Sequence, residues 1–269
     1  MARLLRDRGE KSPTLLELMA TRQPILVPGC YDALSARLVE EAGFAAVYMT
    51  GFGSSAAHLG RPDVGLLTMS EMVDNARRMV AIHLEDQLAP KRCGHLDGKQ
   101  LIPAEEMAAK LRAAGEARSS PDFLLIARTD ARAVEGLDTA IDRARRYREA
   151  GADVLFVEAP QSESEIRAVA AAFPGVPLLF NWAEGGKTPA VEHDLLAELG
   201  FAIVIFPIST LLAATGAMRE VLARIRADGT PVRALGGLPR FGEFLDFIGL
   251  PEVRELEQRY QSASTEEKV

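Results

Sequence analysis

Apolar residues in this 269-residue chain gather in short runs, each followed by a longer stretch in which they recur every three or four positions. The runs ILVPGCY (25–31), AAVYMTG (45–51), AIHLEDQ (81–87), DFLLIARTD (122–130), DVLFVEA (153–159), PLLFNW (177–182) and IVIFPIS (203–209) predict strands. The stretches between them predict helices. These are a short one at about 12–20, DALSARLVEEAG stopping at Gly43, SEMVDNARRM (70–79) capped by Ser70, PAEEMAAKLRAAGEAR (103–118) with Pro103 near its first turn, LDTAIDRARRYREAG, SESEIRAVAAAF, VEHDLLAELG, and a long helix to about 228. The remainder to about 260 reads as helical, and SASTEEKV as a polar tail.

Nearly all-apolar strands that alternate with helices predict a buried parallel sheet. The strands end in polar residues: Asp32, Thr50, Glu85 with Asp86, Arg128 with Asp130, Glu158, Asn181 and Ser209. Such ends recur along the whole chain, which favours a (β/α)₈ TIM-type barrel over a doubly wound sheet, where they would gather at one switch point. The count is one unit short. Arg77–Val80 reads as helix and Ala81–Leu84 as strand, with no loop between them where about 2–6 residues are usual. We therefore expect one β/α unit, in the region of the third strand, to be missing between Val80 and Ala81. A shorter, irregular connection is the alternative. The barrel is read as a single domain over 1–269. Its extra C-terminal helices, from about 229 to 269, carry a cluster of Leu238, Phe241, Phe244, Leu245, Phe247 and Ile248 that predicts contacts between subunits.

Composition narrows the function classes. The chain is 48% hydrophobic and 26% charged, ordinary for a soluble globular protein. A net charge of -7 argues against nucleic acid, whose phosphates require a basic face. No stretch approaches the ~20 apolar residues that cross a bilayer. The N-terminus lacks the apolar run of a signal peptide. Two cysteines, Cys30 and Cys93, are too few to staple such a fold, and they point to a reducing, cytoplasmic compartment.

The candidate chemistry lies at the strand ends. Neighbouring residues on a strand face opposite ways, so only one of Glu85 and Asp86 is expected to face the mouth. Asp63, Glu85 and Glu158 suit Mg²⁺ by position; ion pairing with Lys91 or Arg128 explains them equally well. Cys93 lies between Arg92 and His95, close to Lys91, and basic neighbours lower a thiol pKa. A passive surface cysteine is the alternative. The loop Lys91–Gly98 has the polarity and glycines of a mobile gate. Cys30 reads as packing. YMTGFGSSA (48–56) offers hydroxyls and backbone N–H groups to an anion. Arg128 is suited to a carboxylate. NWAEGGKTP (181–189) places Asn181 at a strand end.

Together PGCYDALSARLVEEAGF, YMTGFGSSAAHLGRPDVGLLT, HLEDQLAPKRCGH, ARTDA and NWAEGGKTP resemble the isocitrate lyase / phosphoenolpyruvate mutase superfamily over nearly the whole chain. The KRCGH loop is similar to that of its carbon–carbon lyases, the 2-methylisocitrate lyase and 2,3-dimethylmalate lyase branches. The resemblance implies retro-aldol cleavage of a 2-hydroxy di- or tricarboxylate, dependent on Mg²⁺ or Mn²⁺. It implies Cys93 as proton donor, with Lys91, Arg92 and His95 beside it. Tyr48, Thr50, Gly51, Phe52, Arg128, Glu158 and Asn181 would hold substrate, and Asp63 and Glu85 would support the metal through water. It also implies a homotetramer with swapped C-terminal helices. Oxaloacetate decarboxylase and carboxyphosphonoenolpyruvate phosphonomutase are similar alternatives. The superfamily's D-x-D-x-G-(Y/F)-G segment, which supplies the direct metal ligands, has no counterpart here and would fall between Val80 and Ala81. If it is truly absent, an inactive carboxylate-binding barrel is the remaining reading.

Overall fold

The computed structural model describes residues 13–21, 23–61, 63, 66–68, 70–71, 81–95 and 97–266. They form two compact units, one over Pro13–Leu211 and one from Leu212 onward. The division falls inside a helix, where the sequence reading has one domain with a helical extension from about 229.

The first unit alternates strands and helices: α1 (Leu15–Met19), β1 (Ile25–Cys30), α2 (Ala33–Glu41), β2 (Tyr48–Met49), α3 (Gly51–Leu59), β3 (Ala81–Glu85), α4 (Ala104–Ala117), β4 (Leu124–Thr129), α5 (Ala131–Val134), α6 (Leu137–Glu149), β5 (Val154–Val157), α7 (Glu163–Ala172), β6 (Leu179–Asn181), α8 (His193–Glu198) and β7 (Ile203–Phe206). Its last helix, α9 (Ser209–Asp228), continues into the second unit. All strand pairings are parallel, in the orders β2-β1-β7-β6 and β3-β4-β5. A parallel bridge between Leu155 and Leu178 joins the two sets, with the Leu155 N–H donating to the Pro177 carbonyl at 3.0 Å. Among the described residues the seven strands thus make one row that begins at β2 and ends at β3, and those two do not pair with each other.

A period of two divides each strand between two cores. Val154 and Phe156 join Ile25, Val27, Leu124, Ile126, Leu179, Ile203 and Ile205 on the inner face. Leu155 and Val157 face the helices, against Met107, Leu111, Ile141, Tyr147 and Ile166. The two free edges meet on the inner side through side chains. The Tyr48 and His83 rings lie 5.3 Å apart, and Phe156 stands edge-on to His83 at 5.9 Å.

The strands are shorter than the apolar runs because caps claim their ends. The Thr50 hydroxyl accepts from the Gly53 N–H at 3.1 Å and starts α3, so β2 stops at Met49 rather than at 51. Most of the helix expected at 70–79 lies outside the described residues. Its cap is corrected from Ser70 to Thr68. The Glu71 N–H donates to the Thr68 hydroxyl at 3.3 Å, and the Thr68 N–H donates back to the Glu71 carboxylate at 2.8 Å. Val80 of the loop-free junction also lies outside the described residues.

The second unit contains the rest of α9, a 3₁₀ turn (Val232–Gly237), α10 (Phe241–Phe247) and α11 (Leu250–Glu266). α9 exposes Leu212, Met218, Leu222 and Ile225, and Phe241 and Phe244 are exposed on α10.

His83, half-buried between the Tyr48 and Phe156 rings, generates a pH prediction. Burial pulls its pKa from 6.5 to about 3, with Arg128 adding to the effect. Between these values the unfolded chain binds a proton that the folded chain refuses. Stability is therefore full above 6.5 and falls by up to about 1.4 kcal/mol per pH unit below it. The urea midpoint should drop more from pH 7 to pH 5 in wild type than in His83→Phe. Equal drops would show that His83 is protonated in the fold.

Candidate active site

Arg128, near the end of β4, organises the polar end of the row. In register with it across the sheet is Glu85 on β3. The Arg128 guanidinium donates from Nε to Asp130 Oδ2 at 2.9 Å and from Nη2 to Asp130 Oδ1 at 3.0 Å. Its Nη1 lies 3.0 Å from Glu158 Oε2 and its Nε 3.4 Å from Glu85 Oε2. Its carbon sits 5.2 Å over the Phe156 ring. Burial works against the charge, but Asp130, Glu158 and Glu85 outweigh it and hold the group protonated. Burial likewise favours a neutral Asp130, and Arg128 outweighs it. Glu85 differs: burial wins over Arg128 and Lys91 and raises its pKa.

Glu85 and Asp86 point to opposite sides, as strand geometry requires. Asp86 is fully buried on the helix side. It accepts from the Thr129 hydroxyl at 2.7 Å, the Tyr147 hydroxyl at 2.8 Å and the Asp130 N–H at 2.9 Å, and Arg143 Nη1 lies 3.5 Å away. This anchor fixes the strand end from behind and leaves Glu85 to the mouth.

The loop after β3 is pinched at its base. Ile102 N–H donates to the Asp86 carbonyl at 2.9 Å, and Leu88 N–H to the Gln100 carbonyl at 2.8 Å. The Gln87 amide both donates to the Arg92 carbonyl and accepts from the Arg92 N–H, each at 2.9 Å. The loop then lies directly on the Arg128 cluster. A Cβ at Gly94 would stand 2.6 Å from the Glu158 carboxyl carbon and closer still to Arg128 Nη2. Behind it, the buried Lys99 ammonium donates to the Gly94 carbonyl and lies 3.9 Å from Asp130 Oδ1. Gln87 and Lys99 escape a reading of the sequence, because each looks like one more polar residue of a polar loop.

Cys93 rides on this loop, half-buried. The expected lowering of its pKa is overturned. Burial pushes the thiol up, and the His95 backbone N–H and Arg128 offset only part of it. The basic flanks act elsewhere. Lys91 Nζ donates to Asp63 Oδ2 at 2.8 Å and stands 3.6 Å from Glu85 Oε1. Arg92 is exposed and donates to the Asp97 carbonyl at 3.1 Å. His95 is pulled toward its neutral form by burial, against Glu158. Its Nδ1 accepts from the Lys187 N–H at 3.0 Å, which leaves the ring proton on Nε2, 3.3 Å from Glu158 Oε1. Cys93 is therefore a protonated thiol at neutral pH.

Among the other predicted residues, Glu158 is buried, and the Asn181 amide donates to it at 3.2 Å. The Asn181 carbonyl oxygen is buried with no partner among the described residues. Tyr48 faces the same side, its phenol pushed up to about 12 by burial. Thr50 is buried as the cap of α3. Gly51 opens that helix beside Asp63; a Cβ there would lie 3.5 Å from Asp63 Oδ2. Phe52 follows, half-buried. The EGGKTP loop closes the other side. Lys187 pairs with Asp97, and the Ser209 hydroxyl donates to Glu184.

The two proposed metal supports, Asp63 and Glu85, are the ion pairs that the sequence left as the alternative. Lys91 bridges them, and Arg128 approaches Glu85. Among the described residues no group of three or more His, Cys, Asp or Glu is placed to hold a metal ion. Mg²⁺ requires a near-octahedral set of oxygen ligands. Two carboxylates already neutralised by an ammonium do not fit it.

Comparison with known proteins places this geometry. A profile of the family described as phosphoenolpyruvate phosphomutase matches residues 15–83 and 77–226. The 2,3-dimethylmalate lyase of Eubacterium barkeri is 39% identical over 278 positions, covering 91% of this chain and 96% of its own length. The 2-methylisocitrate lyase of Bacillus subtilis (strain 168) is 36% identical over 276 positions, covering 90% of each. The crystal structure of phosphonopyruvate hydrolase in complex with oxalate and Mg²⁺ superposes with a TM-score of 0.81 at 29% identity, covering 91% of this chain and 96% of that one. In the first of these, 91% of the chain is about 245 residues against 278 positions, so about 33 positions have no residue here. The second leaves about 34.

Seating of the loop on Arg128 is testable through the thiol. A methyl at Gly94 cannot be accommodated without moving the loop. Gly94→Ala should speed the reaction of Cys93 with a disulfide reagent several-fold, while the buried Cys30 stays slow. An unchanged rate in a folded variant would mean that Gly94 does not hold the thiol in.

Proposed function

The chain belongs to the phosphoenolpyruvate phosphomutase family, and on that premise we propose that it is a carbon–carbon lyase. The reaction is retro-aldol cleavage of a 2-hydroxy di- or tricarboxylate, of dimethylmalate or methylisocitrate type, to pyruvate and a second carboxylate. The observation that carries this reading is the half-buried Cys93, set on a loop that lies against the Arg128–Glu158 cluster, with burial raising its thiol pKa. A retro-aldol step leaves an electron pair on the carbon next to the departing carboxylate, and a thiol in its protonated form is what that carbon requires.

The step balances as follows. The substrate hydroxyl gives its proton to a mouth carboxylate. Glu85 suits this, since burial raises its proton affinity. The carbon–carbon bond breaks, the C–O bond becomes the carbonyl of the 2-oxo acid, and the Cys93 proton goes to the departing carbon. The proton held by Glu85 then returns to the thiolate through water. The Asn181 carbonyl oxygen, a buried acceptor without a partner among the described residues, is suited to the substrate hydroxyl. Arg128 is committed to Asp130 and Glu158, so it holds a substrate carboxylate only by sharing donors. No step passes through a metal ion, because Asp63 and Glu85 do not fit one.

A second reading has its own support. We read the unpaired edges of β2 and β3 as the place of an eighth strand, and the junction between Val80 and Ala81 as the site of a missing β/α unit. The positions without a residue here number about 33 in all, as many as one such unit of roughly 30 or more residues holds. Without it, this chain is a barrel-like carboxylate binder that does not turn its ligand over. In either reading, the exposed apolar residues of α9 and α10 suit a homotetramer, and two unpaired cysteines suit the cytoplasm. Among the described residues no helix is long and apolar enough to cross a membrane.

Pyruvate release from 2,3-dimethylmalate or 2-methylisocitrate, followed through lactate dehydrogenase, tests the lyase reading. Cys93→Ser should lower kcat by about 10²–10⁴-fold, the usual worth of a positioned proton donor. Its stability should stay within about 1 kcal/mol of wild type. Cleavage by the variant within a few-fold of wild type would remove Cys93 from the mechanism. No cleavage by wild type, together with measurable binding of oxalate, would favour the binder. Light scattering should give four subunits at micromolar concentration, and a monomer would contradict the assembly.

A further inference from the structure

Among the described residues the mouth brings together the carboxylates Asp63, Glu85, Asp130 and Glu158 and the cations Lys91, Lys99 and Arg128. Their pairing is not even. Arg128 takes Asp130 through two nitrogens and Glu158 through the third, and Lys99 sits behind Asp130. Asp63 and Glu85, from separate segments, share one ammonium, with Lys91 Nζ 2.8 Å from the first and 3.6 Å from the second, and Glu85 also lies 3.4 Å from Arg128 Nε. Lys91 is about one-third exposed, while Asp63 and Glu85 are largely covered, so the ammonium lies on the open side of the pair. A lysine ammonium carries three donors; Asp63 takes one, and a second points toward the Glu85 carboxylate at ion-pair distance. The third is available to an anionic ligand entering the mouth.

We propose that the Lys91 ammonium is the resident cation of this site, so that it, and no divalent ion, neutralises Asp63 and Glu85 and meets the carboxylate of the ligand. This deepens the functional reading above and rests on its placing of the ligand at this mouth. A compact, strongly hydrated point charge on a flexible stem is the side chain closest to a metal ion in character. Two carboxylates suffice to bind a hydrated Mg²⁺ or Mn²⁺ only while their charge is unspent. Here it is spent within the chain. The arrangement accounts for a mouth that keeps two metal-supporting acids yet offers no third ligand among the described residues.

The test is direct metal binding without turnover. Mn²⁺ is titrated into wild type, Lys91→Arg and Lys91→Met, and the free-ion signal is followed by electron paramagnetic resonance. Lys91→Met should bind Mn²⁺ about tenfold or more tightly than wild type, the least that one ammonium charge at this range is worth. Lys91→Arg should behave as wild type, and calorimetry should give wild type the same affinity for oxalate in EDTA as in Mg²⁺. Equal Mn²⁺ binding by wild type and Lys91→Met would overturn the proposal, as would oxalate binding that requires Mg²⁺. If Lys91→Met fails to fold, the wild-type protein decides: tight Mn²⁺ binding removed by Asp63→Asn overturns the proposal, and its absence upholds it. Cleavage by wild type that EDTA abolishes would also overturn it while leaving the lyase reading intact. Loss of the lyase reading alone would not change the metal titration.

Discussion

The site depends on keeping one guanidinium charged where water hardly reaches. A buried cation without partners costs several kcal/mol, so the neighbouring elements must bring carboxylates to Arg128. Parallel register brings Glu85 from β3, the residue two positions on brings Asp130, and the end of β5 brings Glu158. Each acid is fixed in turn by something behind it. Asp86 anchors the ends of β3 and β4 to α6 through Tyr147 and Arg143, and Asn181 and His95 reach Glu158 from the ends of two other segments. The loop that carries Cys93 can lie flat on this cluster only because residue 94 has no side chain.

The same constraint sets the chemistry. A group of opposite charges that largely cancel inside a low-dielectric mouth leaves little field to ionise a nearby thiol. Burial then decides, and Cys93 keeps its proton. For a nucleophile that would be a defect, but for an acid it is the useful state. The basic residues next to Cys93 in the chain serve other partners, Lys91 the mouth acids and Arg92 the frame of the loop.

What could be read from the sequence follows from how local the cause is. The strands of the row's interior are visible as runs because both of their faces are buried, while the edge strands β2 and β3 are only partly covered; strand ends blur because Thr50 or Asp130 can finish a strand or begin a helix with equal ease. The opposition of Glu85 and Asp86 is fixed by the pleat and was readable for that reason. The state of Cys93 was not, since adjacency along the chain says little about adjacency in space on a loop. The choice between metal support and ion pairing for Asp63 and Glu85 turns on where Lys91 reaches across 28 positions, and no local pattern encodes that.

The central claim is that Cys93 delivers a proton to a carbanion-like product. Running the cleavage in D₂O and analysing the departing carboxylate by NMR tests it most directly. The account predicts one deuterium on the carbon next to that carboxylate, in a single configuration, because a thiol fixed on one side exchanges with solvent and delivers from one side. A product carrying deuterium equally in both configurations would mean that water, and not the thiol, protonates it, and would contradict the account.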